Sequence, residues 1–231
     1  YLGTYQTEEE AAKAPNDPNA QGRKKHAGDA IFEDVNNDGQ LDSKDMKFMG
    51  YIRPDKVGGI VNSFKYKGLT VRVVMDWAMG HVIDNGFKGQ IMGSSRNNNN
   101  AIKDAMTNSW QSANDGTKYP KYTVQSDYDY QYRNHMRWDN QIGSSESGST
   151  NNSLYFSKGD YLAFREVSLS YMLPSTWVRK IRLSGVEVFA GAYNIGYIKK
   201  YDGMFPEIYT GVDYGVYPRP RQYNMGVKIN F

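Results

Sequence analysis

Apolar and polar residues alternate one by one in five stretches of this 231-residue chain, a period that marks strands rather than helices. Residues 221–231 are the most regular. Tyr223, Met225, Val227, Ile229 and Phe231 are apolar or aromatic, and Gln222, Asn224, Gly226, Lys228 and Asn230 are polar or small. Residues 69–79 set Leu69, Val71, Val73, Met75, Trp77 and Met79 against Thr70, Arg72, Val74, Asp76 and Ala78. Residues 184–194 place Val186, Val188, Ala190 and Ala192 opposite Glu187, Phe189, Gly191 and Tyr193. In residues 161–172, Val167, Leu169 and Tyr171 oppose Glu166, Ser168 and Ser170, while Leu162, Phe164 and Arg165 break the phase. Such a break predicts a bulge or the end of the membrane-spanning part. Residues 58–66 alternate least well, and residues 1–6 read as the tail of a sixth strand.

The links between these strands carry more information than the strands themselves. A soluble β-sandwich alternates in the same way as a membrane strand, which needs roughly 9–11 residues. Residues 66–68 form a tight turn and residues 173–183, with Pro174, a compact link. The other connections, residues 7–57, 80–160 and 195–220, are long, so long and short links alternate. Soluble domains rarely hold several structureless loops of that size, whereas outer-membrane barrels combine short periplasmic turns with long extracellular loops. Placing the long links outside sends the last strand downward and puts Phe231 in the periplasm. The expected fold is therefore all-β, the C-terminal five to six antiparallel strands of a large transmembrane β-barrel. An open sheet in lipid leaves unpaired backbone groups at both edges, each costly. The missing strands are expected from an N-terminal portion of the same polypeptide, and a first residue Tyr1 without an initiator Met suits that expectation.

Composition agrees with this reading at few points but excludes several others. Mean hydropathy is −0.72, yet aromatic residues make up 14% of the chain and Tyr alone contributes 19 residues, as alternating strands with aromatic girdles would give. Tyr155, Tyr161, Tyr171, Trp177, Tyr193, Tyr223 and Phe231 lie near proposed strand ends, where girdle residues belong. No apolar run approaches the ~20 residues of a transmembrane helix. There is no cysteine, which excludes disulfides and thiolate chemistry. A net charge of +3, spread along the chain, does not make the basic face of a nucleic-acid binder.

One segment carries recognisable site chemistry. In Asp34-Val-Asn36-Asn-Asp38-Gly39-Gln40-Leu41-Asp42-Ser-Lys-Asp45, oxygen-bearing residues fall at positions 1, 3, 5, 9 and 12 of a 12-residue calcium loop, with Gly at 6. Asp34, Asn36 and Asp38 would offer side-chain oxygens, Gln40 its carbonyl, and Asp42 and Asp45 further carboxylates. Asp45 replaces the usual Glu, so a shorter arm must reach the ion. The alternative is a solvated Asp/Asn turn without metal. The connection 80–160 is rich in aromatics, among them Trp110, Tyr128, Tyr130, Tyr132 and Trp138, with Arg and Asp nearby. Such rings either stack on sugars or pack the loop onto itself or a partner. His26, His81 and His135 have no metal-ligand spacing, and no nucleophile elbow or phosphate loop occurs, so no enzyme is expected.

The chain resembles the SusC/RagA-like TonB-dependent transporters of the Bacteroidetes outer membrane. The resemblance rests on several strings in order: residues 3–9 (GTYQTEE), 28–39 (GDAIFEDVNNDG), 58–69, 161–174 (YLAFREVSLSYMLP), 188–194 (VFAGAYN), 201–207 (YDGMFPE), and 217–218 leading to Phe231. It implies a 22-stranded barrel with an N-terminal plug outside this chain, and a SusD-like surface lipoprotein over the extracellular mouth. It further implies energy relayed by TonB and large nutrients, oligosaccharides or peptides, as cargo. It also implies that Tyr223, Val227, Ile229 and Phe231 form the signal read by the barrel assembly machinery. A soluble extracellular calcium-binding β-domain that binds carbohydrate is the alternative.

Overall fold

The computed structural model describes residues 1–93, 103–117, 119–123, 129, 133–134 and 152–231. Nine strands form among them: β1 (Gly3–Thr4), β2 (Ala30–Ile31), β3 (Lys56–Tyr66), β4 (Leu69–Met79), β5 (Val82–Asp84), β6 (Phe156–Lys158), β7 (Tyr161–Met172), β8 (Gly185–Lys199) and β9 (Gln222–Asn230). The chain divides into two compact units. One comprises Tyr51–Val82, Lys158–Glu207 and Val216–Phe231; the other comprises Tyr1–Gly50, Ile83–Ser157 and Ile208–Gly215.

The first unit is built on an antiparallel sheet in the order β3-β4-β7-β8-β9. All five predicted strands are present, and β4 and β7 have the predicted bounds. Register sorts the side chains into two faces. Opposite Val186, Val188, Ala190 and Ala192 of β8 stand Ile229, Val227, Met225 and Tyr223 of β9, and opposite Ala192, Ala190 and Val188 stand Val167, Leu169 and Tyr171 of β7. These in turn face Val73, Val71 and Leu69 of β4. One continuous apolar face results. The other face pairs Glu187 with Lys228 and Gly191 with Asn224, and carries an Arg72–Glu166 ion pair at 3.4 Å.

The apolar face is not covered. Its exposed large side chains range from 38% at Tyr171 to 87% at Met225, while Leu69, Val71 and Val73 are half-buried and Val186 is buried. In a β-sandwich a second sheet packs over such a face at about 10 Å. Among the described residues the sheet is also open: β3 and β9 each pair on one side only.

The predicted phase break is a β-bulge. Val74 of β4 pairs with Glu166, but the adjacent Met75 pairs with Phe164, so Arg165 is an extra residue in β7. On the other side Glu166 pairs with Tyr193 and Phe164 with Gly196, and the irregularity is taken up around Asn194, whose φ is 50°. A one-residue slip would otherwise send every later side chain to the wrong face. With the bulge, Leu162 and Phe164 join Trp77, Met75 and Ile198 on the apolar face.

Short links close one end of the sheet. Lys67 (φ 45°) and Gly68 (φ 89°) make the two-residue turn between β3 and β4, as left-handed backbone at both positions requires. After Pro174, a short helix (Ser175–Val178) and a 3-10 turn (Arg179–Ile181) lead to β8. At the other end, the Asp160 carboxylate accepts the Gly80 N–H (2.8 Å) and pairs with Lys200 (2.9 Å). Burial acts to raise this carboxyl, but those two partners outweigh it and hold it below the ordinary range.

The second unit corrects two expectations. Residues 1–6 are not a sixth strand of the sheet: β1 pairs with β2 in a separate two-stranded sheet, antiparallel, as Gly3 with Ile31 and Thr4 with Ala30. The long connections are not structureless either. Parts of residues 7–57, 80–160 and 195–220 condense into a unit with its own core of Met92, Ala105, Tyr119 and Tyr155. A buried polar knot supports it. Asp29 (1% exposed) accepts from Arg133 Nε (2.7 Å), Asn134 Nδ2 (2.9 Å) and the His26 N–H (2.8 Å), while Asn134 Oδ1 accepts from the Ala30 N–H (2.5 Å).

Two glycines with the same backbone conformation separate strain from contact. Gly39 (φ 78°) has open space where a Cβ would lie, but at Gly68 that atom would stand 2.7 Å from the Met172 carbonyl oxygen. Left-handed backbone alone costs a non-glycine residue roughly 1–2 kcal/mol. Gly39→Ala is expected to cost no more than that, and Gly68→Ala about 1 kcal/mol or more beyond it. Denaturant unfolding of the full-length protein in detergent measures both; equal costs would refute the contact argument.

Candidate functional site

The predicted metal residues lie on one turn of chain held by local hydrogen bonds. Asp34 accepts the N–H groups of Asp38 (3.2 Å) and Gly39 (2.8 Å), and Asn36 Oδ1 accepts that of Asp38 (3.0 Å). Asp38 accepts the Gln40 N–H at 3.0 Å. Asp45 closes the turn by accepting the N–H groups of Val35 and Asp42, both at 2.8 Å. Gly39 supplies the positive φ, and Leu41, at the apolar position of the motif, is buried (4% exposed). Leu41 also ties the turn down, donating its N–H to the Asn16 carbonyl at 2.8 Å.

The electrostatics of this turn are those of carboxylates already in use. The Lys44 ammonium lies 3.4 Å from Asp38 and 3.6 Å from Asp42. The Asn36 amide foremost, then the Gln40 N–H and Lys44, hold the Asp38 carboxyl below its ordinary range. Among the described residues, no group of three or more His, Cys, Asp or Glu side chains is gathered closely enough to hold a metal ion. The residue types, Gly39 and the buried Leu41 match the motif, and the Lys44 ammonium stands beside two of the carboxylates.

Of the aromatic candidates, Tyr128, Tyr130, Tyr132 and Trp138 lie outside the described residues. Trp110 packs within its own unit: its ring covers Gly28, where a Cβ would stand 2.7 Å from Trp110 Cε3. Tyr119 is 2% exposed and donates its hydroxyl to Asp104 at 2.7 Å. Of the expected girdle residues, Tyr171 and Tyr223 stand on the apolar face. Tyr161 is instead buried on the polar face, Tyr193 shares that face, and Tyr155 is buried in the loop core. At the chain end Tyr223, Val227 and Ile229 line the apolar face, and the Phe231 ring is 93% exposed. The Phe231 carbonyl accepts the Ser184 hydroxyl at 2.6 Å.

A polar clasp on the opposite face was not anticipated as a site. Arg165, delivered by the bulge, grips the Asp76 carboxylate with Nε and with Nη2, the latter at 2.7 Å. Its Nη1 donates to Glu207 Oε1 at 2.5 Å and to the Tyr197 hydroxyl at 3.3 Å. The Tyr197 hydroxyl donates to the same Glu207 oxygen at 2.5 Å, and Arg219 lies 3.3 Å from the other. Around them Tyr197 meets Tyr161 and Phe205 edge-on, with centroids 5.9 and 5.8 Å away. Ala78 and Ala163 are small enough to admit these rings. The clasp thus folds residues 201–207 onto the polar face, burying Tyr201, Phe205 and Glu207. The sequence signal for it was the phase break at Arg165 together with an Asp in β4; nothing local pointed to Glu207.

A one-layer antiparallel sheet with one exposed apolar face, one polar face and two free edges defines a sector of a membrane β-barrel rather than a self-contained domain. No family model matches the chain. It is 25% identical over 216 residues to TonB-dependent receptor P3 of Formosa agariphila, covering 88% of this chain and 19% of that protein. Over 91 residues it is 26% identical to TonB-dependent receptor SusC of Bacteroides thetaiotaomicron, covering 39% and 9%. The fold is similar to the RagAB peptide importer in its 'open-open' state (TM-score 0.60, 22% identity, 86% of this chain and 20% of that one). The 'closed-closed' state gives a TM-score of 0.61 at 20% identity, over 92% and 22%. The chain is thus related to the C-terminal part of TonB-dependent receptors, SusC among them, and spans about a fifth of the length of the receptors it matches most fully.

The clasp makes a definite prediction. Replacing Arg165 by Met leaves Asp76 and Glu207 facing each other without the cation between them. The expected cost is roughly 2–4 kcal/mol, below that of a fully buried pair because Asp76 remains partly exposed. Hydrogen exchange of residues 201–207 should rise in the Arg165→Met protein while β9 stays protected; unchanged exchange there would refute the clasp.

Proposed function

We propose that this chain is the C-terminal sector of the β-barrel of a SusC/RagA-type TonB-dependent transporter in a Gram-negative outer membrane. The observation that carries the reading is the uncovered apolar face of a sheet whose opposite face is polar and whose two edges are free. Lipid covers the apolar face, the polar face lines the lumen, and the edges pair with strands from the N-terminal remainder of the same polypeptide. The unit formed by the long connections stands on the extracellular side and Phe231 in the periplasm. Cargo is a large nutrient, an oligosaccharide or a peptide, taken up with a SusD-like lipoprotein and driven through TonB contacts made by the N-terminal part. The name of the RagAB peptide importer is consistent with peptide cargo, and that of SusC with the same transporter class.

Membrane partition tests this directly. The full-length protein should fractionate with the outer membrane, require detergent, and change electrophoretic mobility on heating. Deleting Phe231 should lower the assembled, heat-modifiable form several-fold without changing synthesis, because the exposed terminal ring belongs to the assembly signal with Tyr223, Val227 and Ile229. Recovery of the full-length protein in the soluble fraction would refute the reading and favour a soluble calcium-binding carbohydrate module.

The turn at residues 34–45 is the proposed structural calcium site of the extracellular unit. Asp34, Asn36, Asp38, Asp42 and Asp45 would supply side-chain oxygens and Gln40 its carbonyl, with the exposed Lys44 swinging away. Extracellular sites of this kind bind at about 10⁻⁴–10⁻³ M. Removing calcium should raise proteolysis within residues 34–45 while the barrel stays heat-modifiable, and Asp34→Asn with Asp38→Asn should abolish the difference. Equal cleavage with calcium and with chelator would exclude the metal.

A further inference from the structure

The link between β7 and β8 carries a surface patch that neither the alternation of the strands nor the clasp accounts for. Its short helix (Ser175–Val178) and 3-10 turn (Arg179–Ile181) are pinned by Val178, which is 2% exposed, and end at Arg182 in left-handed backbone (φ 60°). Trp177 and Ile181, four residues apart on these helical turns, are 62% and 64% exposed. Arg179, Lys180 and Arg182 are interspersed with them, and no acidic residue occurs between Glu166 and Glu187. Those two carboxylates face other cations: Glu166 pairs with Arg72, and Glu187 stands opposite Lys228. Among the described residues none of the three cations of the link is in an ion pair.

The patch is continuous with the apolar face. The helix packs against β8, in which the one buried residue is Val186, on that face. At the same end of the sheet, Tyr66 stands on the apolar face, 58% exposed, with Lys67 Nζ 5.3 Å from its ring centroid. The link also meets the chain end, where Ser184 donates its hydroxyl to the carbonyl of Phe231, whose ring is 93% exposed. Exposed rings and aliphatic side chains interspersed with Lys and Arg suit the boundary between acyl chains and headgroups, where the apolar parts sink and the charged tips reach phosphates.

We propose that the link at residues 174–182 is an interfacial anchor that docks on anionic phospholipid headgroups, with Trp177 and Ile181 in the acyl boundary and Arg179, Lys180 and Arg182 against the phosphates. This assignment rests on the barrel reading, which puts this end of the sheet at the periplasmic leaflet, and adds to it a lipid class. Charge complementarity selects the lipid. Three cations without a counter-acid are drawn to an anionic surface within a Debye length, about 8 Å at physiological salt, and gain far less from a zwitterionic one. Continuity with the lipid-facing side chains favours a bilayer over an acidic polypeptide as the occupant.

Hydrogen exchange of residues 175–182 tests the anchor. It is measured on the full-length protein in nanodiscs of phosphatidylcholine, with or without about a third of phosphatidylglycerol. Exchange should be about threefold slower or more in the anionic bilayer. Replacing Arg179, Lys180 and Arg182 together by Gln should remove that difference, as should salt of about 1 M. Trp177→Ser should speed exchange in both bilayers. These positions are on the surface, so heat-modifiability should show the variant barrels assembled. Equal exchange of an assembled barrel in the two bilayers, or a difference that survives the triple substitution, would overturn the proposal. Protection by added polyglutamate but not by phosphatidylglycerol would assign the patch to an acidic polypeptide and overturn it too. Failure of the protein to enter bilayers at all would refute the barrel reading and the anchor with it, so the two failures are distinguishable.

Discussion

Arg165 occupies the one position where the alternation of the sheet must be interrupted, and its two carboxylate partners turn that interruption into an attachment. Strand β7 has to keep an apolar face over twelve residues, but its sequence changes phase halfway. The extra residue restores the phase on both sides and is itself turned to the polar face. There a guanidinium finds Asp76 on the neighbouring strand and Glu207 beyond the end of β8. A planar fork with five donors can serve two carboxylates and a phenol at once, which an ammonium on a flexible stem does poorly. Face, register and the path of residues 201–207 all follow from that one bulge.

The strands and turns were legible in the sequence because their causes are local. Alternation placed β4 and β7 to the residue, Lys67-Gly68 marked the hairpin, and the phase break at Phe164-Arg165 marked the bulge. The twelve residues of the calcium-type turn were equally visible, since the side-chain hydrogen bonds within it span ten residues or fewer, while its tie to Asn16 was not. What the sequence did not reveal depends on distant parts of the chain meeting. Glu207 lies 42 residues from Arg165, and Arg133 lies 104 from Asp29. No periodicity encodes such pairs, so the long connections read as open loops when they contain a folded core. The same blindness made residues 1–6 look like a strand of the sheet: a short alternation does not say which partner it will pair with.

The calcium-type turn shows how far a motif carries. Its spacing is a statement about which oxygens one ion could reach, and the folded turn keeps the residues on one turn without gathering three carboxylates around a common point. Yet the carboxylates are engaged by backbone N–H groups and by Lys44. A divalent ion therefore competes with a monovalent cation already present rather than filling repelling space. Any calcium bound at the proposed site has to displace that ammonium, which favours weak binding.

The two units handle apolar surface in opposite ways, and the contrast bears on what surrounds the protein. The loop unit buries Tyr119 and Tyr155 to 2% exposure and ties down its polar groups with Asp29 and Asn134. The sheet unit buries Tyr161 and Ala163 on its polar face, yet leaves Met225, Tyr223 and Val227 more than half exposed on the other. Poor packing in general cannot explain this, because the same sheet packs closely around Arg165. A soluble protein pays for such a face at about 25 cal/mol per Å² of apolar surface left in water. A bilayer removes that cost without any protein layer, but only if every backbone group is paired, and among the described residues β3 and β9 each lack a neighbour on one side. The uncovered face and the unpaired edges thus make the same demand: lipid on one side, and further strands at both ends.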